Sequence, residues 1–467
     1  MKKILLLIAV LMILSCSENP ARDKEFSLSG KVTSVLAGSE DIIENNIVKI
    51  ELFLIGNEYD EITAIKSNYD FLGADYDEKL FIEHRNSGIP YKSINTDSSG
   101  NFEFNDVAEG VYILVYSAEG FGWHKDIIKI NEDTEVNLRM RKTRIISGQI
   151  DEDTSWAADS HILIDNDFFI RQGVTLEIGK NTVIEVDNSK IILFGNMNIV
   201  KDDHNPVIFT SCETNPDKGD WNGITNYSET GEIENCIIQW SSFGIKNENN
   251  LTANNIAVLN CSQYGVIFNY KSGIISNSFV GHCNEGLYGF WTKADESEMV
   301  ADKSIFFDNK SGIDLYESSP SISDSYFINN GIHIRSQYNS YPSLASSVFD
   351  SSENYAVYSE KEYDYDGLIL ITECEFINNN IAVRCNRSAD ITAKNNNISA
   401  DTYGFYLSYY YGVNNVSAQN NWWGTSDENE IQNLIYDESD EPGGDNSGEV
   451  DYSNWKSSEI KNIGPKR

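Results

Sequence analysis

KSGIDLY (310–316) and the stretches that repeat it decide how this chain is read. The same form, an Asn- or Gly-rich corner leading into a short apolar strand, returns as SSFGIKN (241–247), SQYGVIF (262–268), NEGLYGF (284–290), NNGIHIR (329–335), ENYAVYS (353–359), NNNIAVR (378–384) and DTYGFYL (401–407). With Gly244, Gly265, Gly286, Gly312, Gly331, Asn354, Asn380 and Gly404 as corner anchors, successive spacings are 21, 21, 26, 19, 23, 26 and 24 residues. Imperfect repetition at about 23 residues marks a solenoid, in which each coil buries its apolar side only against its neighbours. Residues one and three after the anchor are apolar in most copies: Val266/Phe268, Ile313/Leu315, Ile332/Ile334, Ile381/Val383 and Phe405/Leu407. They are expected to point inward and to stack on their copies about 4.8 Å away. Asn and Gly at corners tolerate the positive φ that a sharp bend requires. Between Ile162 and Trp423 the period predicts about eleven coils, a rod on the order of 50 Å long.

If those positions face inward, residues two and four after the anchor face outward. They read Ile267/Asn269, Tyr288/Phe290, Asp314/Tyr316, His333/Arg335, Ala356/Tyr358, Ala382/Arg384 and Tyr406/Ser408, with Trp291 and Glu317 beside them. Aromatic rings flanked by polar groups suit the apolar faces and hydroxyls of sugars. Tyr288, Phe290, Trp291, Tyr316, Tyr358 and Tyr406 are therefore the expected ligand-binding residues, and a polysaccharide or other extended chain the expected ligand. Two other readings share this face. Sheet surfaces are rich in Tyr and Phe in any case, so the rings could be structural and the chain a surface rod. Alternatively the face is catalytic. A polysaccharide lyase needs a base and a cation to neutralise a uronate carboxylate, roles open to His333, Arg335 and Arg384. A glycoside hydrolase needs two carboxyls across the scissile bond, and Asp314 with Glu317 is the nearby pair. His282, in VGHCNEG, reads as a corner residue.

The flanks carry family signatures. ISG…DT…W (Ile146 to Trp156), GVTLEI (173–178), IFTS (208–211) and GDWNGI (219–224) resemble the opening coils of bacterial right-handed parallel β-helix, pectin-lyase-like proteins. NNWWGTSDENEIQNLIY and the residues to Trp455 resemble that family's closing segment, with Asn454-Trp455 where Pro-Trp is usual. The resemblance implies a right-handed β-helix over 142–425 and a capping segment and tail over 426–467. Upstream, TDSSGNFEFNDVAEGVYILVYSAEGF (96–121) resembles the carboxypeptidase-regulatory-like, prealbumin-type β-sandwich, with Asp97, Gly100, Phe102, Phe104, Gly110, Tyr112, Leu114 and Gly120 as the matching positions. It implies a sandwich over 26–141 that acts as a spacer or docking platform, interrupted between Gly56 and Tyr91 by an acidic, aromatic insertion. The fold class expected is all-β throughout.

Composition narrows the partners. The 467 residues carry 35 Lys+Arg against 72 Asp+Glu, a formal charge of −37. Such a balance disfavours nucleic acid and anionic lipid surfaces. Residues 1–15 read as a targeting leader: Lys2 and Lys3, then an apolar run too short to span a bilayer. It ends Ile13-Leu14-Ser15-Cys16, which resembles a bacterial lipobox; Cys16 would carry the lipid, residues 16–25 would be the tether, and the membrane would be met only through that anchor. A monomer in the cell envelope, at the outer membrane or cell surface, is expected. Six further cysteines (Cys212, Cys236, Cys261, Cys283, Cys374 and Cys385) form no CxxC spacing, so buried thiols or disulfides remain open. No cofactor is implied. Acidic runs at 360–366 and 427–445 are solvated loops by composition, and Ca²⁺ is the one ion their carboxylates would suit.

Overall fold

The computed structural model describes residues 24–36, 39–42, 47–54, 90–202, 205–213, 216–271, 273–292, 299–360, 367–386, 390–408, 415–440 and 448–466. The leader with Cys16, most of the 56–91 insertion, and the acidic residues 361–366 and 441–445 lie outside the described residues. The described chain is almost wholly β, and it divides into two units. One comprises 1–56, 88–119 and 123–140; the other comprises 57–87, 120–122 and 141–467.

The first unit holds two four-stranded sheets. One orders Ser39–Ile42, Glu25–Leu36 and Asn101–Ala108, with Thr134–Arg141 also paired to Glu25–Leu36. The other orders Lys92–Asn95, Lys49–Leu54, Gly110–Ala118 and Phe121–Ile130. Period-2 alternation sets the buried faces, Phe102 and Phe104 on one strand and Ile50 and Leu52 on another; Val107 is buried again only after the left-handed Asp106 breaks the alternation. The Asp97–Gly100 turn forms as its chemistry requires. Asp97 Oδ1 accepts from the Ser99 and Asn101 amides at 2.8 Å each, and Gly100 takes φ +81.

The second unit is a parallel β-helix of three sheets. Between residues 168–170 and 403–408 the second sheet counts eleven rungs, each paired in parallel with the next. Val266, Leu287, Ile313, Ile334, Val357, Val383 and Phe405 form one continuous inward column. Identical residues repeat inside it. Phe306, Phe327, Phe349 and Phe376 stack at 5.0, 5.0 and 4.9 Å. The amides of Ser278, Ser304 and Ser325 each donate to the next coil's serine hydroxyl at 3.2 Å. Asn396 Nδ2 likewise donates to Asn421 Oδ1 at 3.0 Å. These buried polar groups find their partners one coil away. At the far end Ile435–Tyr436 and Val450–Asp451 add last rungs to two of the sheets, and Asp427 caps the helix Glu428–Asn433. Among the described residues no helix is long and apolar enough to cross a membrane.

Two expectations about the corners are corrected. The anchor glycines do not supply positive φ. The left-handed positions include Asn235, Asn255, Asn277, Lys303, Asp324, Ser346, Glu373 and Asn395 at one corner, Trp240, Asn260, His282, Asp308, Asn329, Ser351 and Asn378 at the next, and Tyr270, Trp291, Glu317 and Tyr338 at the third. Their amides carry the ladder around the bend, as His282 N to Phe307 O at 3.1 Å and Asp308 N to Ile328 O at 3.0 Å. That bond offsets the conformational cost at non-glycine residues. Glycine is needed instead where the next coil passes close. A Cβ on Gly265 would lie 2.6 Å from Gly286 O, one on Gly286 2.5 Å from Gly312 O, and one on Gly312 2.7 Å from His333 O.

The second correction follows from the first. Ser311 pairs with Ile332 and Ile313 with Ile334, so the residue opposite Gly312 is His333, not Gly331. The same two-residue offset places Ala356 and Ala382, not Asn354 and Asn380, in that column. His333, Ala356 and Ala382 therefore point inward and are fully buried, while Ile332 turns outward. Apolarity alone could not show this, because Ile332 and Ile334 look equally suited to a core.

Candidate functional site: the outward face of the second sheet

With the register fixed, the outward face has three columns. The first reads Phe243, Tyr264, Glu285, Ser311, Ile332, Tyr355, Ile381 and Tyr403. The second reads Lys246, Ile267, Tyr288, Asp314, Arg335, Tyr358, Arg384, Tyr406 and Tyr436. The third reads Asn269, Phe290, Tyr316, Gln337, Glu360, Asn386 and Ser408. Rungs about 4.8 Å apart bring side chains of one column into contact.

From Phe243 to Tyr338 the rings form one connected surface. Phe243 stacks on Tyr264 at 5.8 Å, Tyr264 on Tyr288 at 4.8 Å, and Tyr288 on Phe290 at 6.0 Å. Phe290 then meets Tyr316 at 5.3 Å, and Tyr316 meets Tyr338 at 4.1 Å. Face-to-face stacking along the rod turns ring edges and phenol oxygens toward solvent. The most exposed rings come from the adjoining corner, where Tyr270 is 54% and Trp291 38% exposed. Both have positive φ and pack against Phe290, at 5.2 and 6.1 Å.

Polar groups sit inside this aromatic surface. Asp314 is directly opposite Tyr288 in the ladder and only 3% exposed. Its Oδ2 accepts from Arg335 at 3.3 Å, while Oδ1, also buried, has no hydrogen-bond donor. Glu285, on the preceding coil, has a buried Oε2 that likewise lacks a donor. Each such oxygen is a standing cost of about 1–3 kcal/mol. Burial raises the Asp314 carboxyl to about 6, outweighing the pull of Arg335 and of the Leu315 amide. Burial and the nearby Asp314 charge raise Glu285 to about 7. Tyr264 and Tyr288 are raised too, chiefly by burial and then by these neighbours.

The other candidates are placed differently. His333 stands inside the coil, 6.2 and 6.1 Å from the Phe327 and Phe349 rings, with Nδ1 3.0 Å from Asn330 Nδ2. Burial lowers it to about 3, so it is a neutral core imidazole that no external substrate reaches. Arg384 lies 4.2 Å over Tyr406 and 5.5 Å over Tyr355, donating to Ser408 Oγ at 3.3 Å. Tyr358 donates to Glu360 at 3.0 Å. Glu317 stands at the corner beside Trp291 with φ +50, so the carboxyl that shares Asp314's surroundings is Glu285. Sequence reading missed Glu285 because it precedes the anchor, although strand alternation marks it outward. Among the described residues no three His, Cys, Asp or Glu side chains gather as a metal site. All six described cysteines are thiols, five of them buried.

The fold and this face define a right-handed β-helix repeat protein. The family model for the right handed beta helix region matches residues 294–423. No curated protein sequence matches the chain. A crystal structure of GBS52, the minor pilin of the Gram-positive pathogen Streptococcus agalactiae, aligns at 14% identity over 26% of this chain and 45% of that one. Its TM-score is 0.16.

Proposed function

We propose that this is a cell-envelope lipoprotein whose β-helix binds an extended polysaccharide along the outward face of the second sheet. The carrying observation is the unbroken ring surface from Phe243 to Tyr338, edged by the exposed Tyr270 and Trp291. A sugar chain presents its apolar faces to such rings and its hydroxyls to polar groups between them. The charge of −37 favours a neutral glycan over a polyuronate. The Ile13-Leu14-Ser15-Cys16 leader supports a lipid anchor, and the 96–121 signature supports reading residues 26–141 as a prealbumin-type spacer for a monomeric rod. The lyase reading loses its base, because His333 is buried and neutral.

The test is affinity electrophoresis and calorimetry of wild type and of Tyr270→Ala/Trp291→Ala against neutral and acidic polysaccharides. Binding of a neutral glycan by wild type, weakened at least tenfold in the variant, is expected. Equal binding by both, or none by wild type, defeats the proposal. Release of unsaturated uronate products would restore the lyase.

A further inference from the structure

Two acceptor oxygens without donors, on adjacent coils and within one aromatic face, are a specific combination. Asp314 Oδ1 and Glu285 Oε2 are both shut off from water with no donor in hydrogen-bonding geometry, the Leu315 amide acting on the Asp314 carboxyl only from a poorer angle or distance. Asp314 is the more deeply buried of the two, at 3% exposure. Its other oxygen is held by Arg335, so the carboxyl cannot turn to satisfy both. Tyr288, across the ladder from Asp314, and Tyr316, two residues along its strand, are only half-buried. A buried acceptor that the protein leaves open is satisfied when something else donates to it.

We propose that Glu285 and Asp314 form the polar floor of the face, a subsite that accepts hydrogen bonds from two hydroxyls of a neutral sugar residue lying across Tyr288 and Tyr316. This rests on the saccharide-binding reading and gives it a centre. Arg335 fixes the Asp314 carboxyl as an acceptor, and Lys310 lies close enough to act on both acids. Two carboxylates with one guanidinium and one ammonium balance to zero. A neutral hydroxylated ring therefore fits better than a uronate or an amine.

The arrangement has a pH signature. Glu285 faces Asp314, Arg335 and Lys310, with Tyr264 and Tyr288 beside it; Asp314 faces Arg335, Lys310 and the same two tyrosines. Both acids ionise between about 6 and 7, within reach of ordinary buffers. Hydroxyl donors favour the ionised acceptors, so affinity rises as pH rises through that interval.

The experiment titrates full-length protein with laminaripentaose, mannopentaose and xylopentaose at pH 5, 6, 7 and 8, using wild type, Glu285→Gln and Asp314→Asn. At least one sugar is expected to bind wild type about tenfold more tightly at pH 8 than at pH 5. Each variant is expected to lose about tenfold at pH 8 and to show a shallower profile, set by the one acid that remains. Near-UV circular dichroism checks that the variants fold. Glu285→Gln, at the less buried position, decides the matter where Asp314→Asn does not fold. Binding that is independent of pH and unchanged in Glu285→Gln overturns the subsite while leaving the glycan reading intact. No binding by wild type to any of the three overturns both.

Discussion

The two halves of the outward face are built from the same residue types and end in opposite states. In the second half Arg384 lies over Tyr406, Tyr358 donates to Glu360, Asn386 donates to Tyr358, and Ser408 donates to Asn386. Its polar groups are engaged with one another. In the first half Glu285 and Asp314 each keep an oxygen with no donor amid a longer run of rings. The corner column changes near the same place, with Gly244, Gly265, Gly286 and Gly312 before it and His333, Ala356 and Ala382 after it, glycine returning only at Gly404. Composition alone therefore does not mark a binding face. What distinguishes the first half is hydrogen-bonding capacity left open.

That contrast can be broken most severely at the corner. Gly286→Val should cost on the order of 3 kcal/mol or more, because its Cβ would meet a backbone oxygen at 2.5 Å, whereas Ala356→Gly should cost about 1 kcal/mol. Denaturant unfolding compares the two, and a tolerated valine would refute the close-approach account. His333 comes next. Its folded pKa of about 3 lies below the unfolded 6.5, so the unfolded chain binds the extra proton between those values. Stability should fall as pH drops below about 6.5, by about 1.4 kcal/mol per unit, and His333→Leu should remove that slope without changing glycan affinity. Asp314 has the opposite sign. Its folded value of about 6 exceeds the unfolded 3.8, so the native state holds the extra proton and stability falls as pH rises from about 4 to 6. Asp314→Asn should relieve up to about 2 kcal/mol at pH 8, less whatever Arg335 loses with its partner. Thermal melts across pH 4–8 measure both slopes. The smallest effect belongs to the second half: Arg384→Ala should cost about 1 kcal/mol and leave glycan binding unchanged.

Much of the fold was legible in the sequence, because a coil must repeat its apolar positions to bury them. Val266, Ile313 and Phe405 declared the inward column, and about eleven coils follow from the period. Phase was less legible. Ile332 and Ile334 are both apolar, and only pairing with Ser311 and Ile313 shows which faces the core. One slip of the anchor moved His333, Ala356 and Ala382 to the wrong side. The rings of Tyr288, Phe290 and Tyr316 were found from sequence because their anchors were in phase. Glu285 was not, since nothing local distinguishes an acid that will sit beside Asp314 from one that will be solvated. Its partner lies 29 residues away in sequence and one coil away in space.

The serine ladder also bears on how such a chain can change length. Ser304, Ser325 and Ser347 are interchangeable steps, each amide or hydroxyl meeting its counterpart on the adjoining coil. Excising residues 326–347 would join Ser325 to Val348 and leave every remaining column in phase, whereas removing a few residues within a strand would misalign the columns of that coil. Length is therefore quantised. The face can be lengthened or shortened by whole rungs, as a ruler is by whole divisions, and a lineage could match it to longer or shorter glycans without redesigning a single coil.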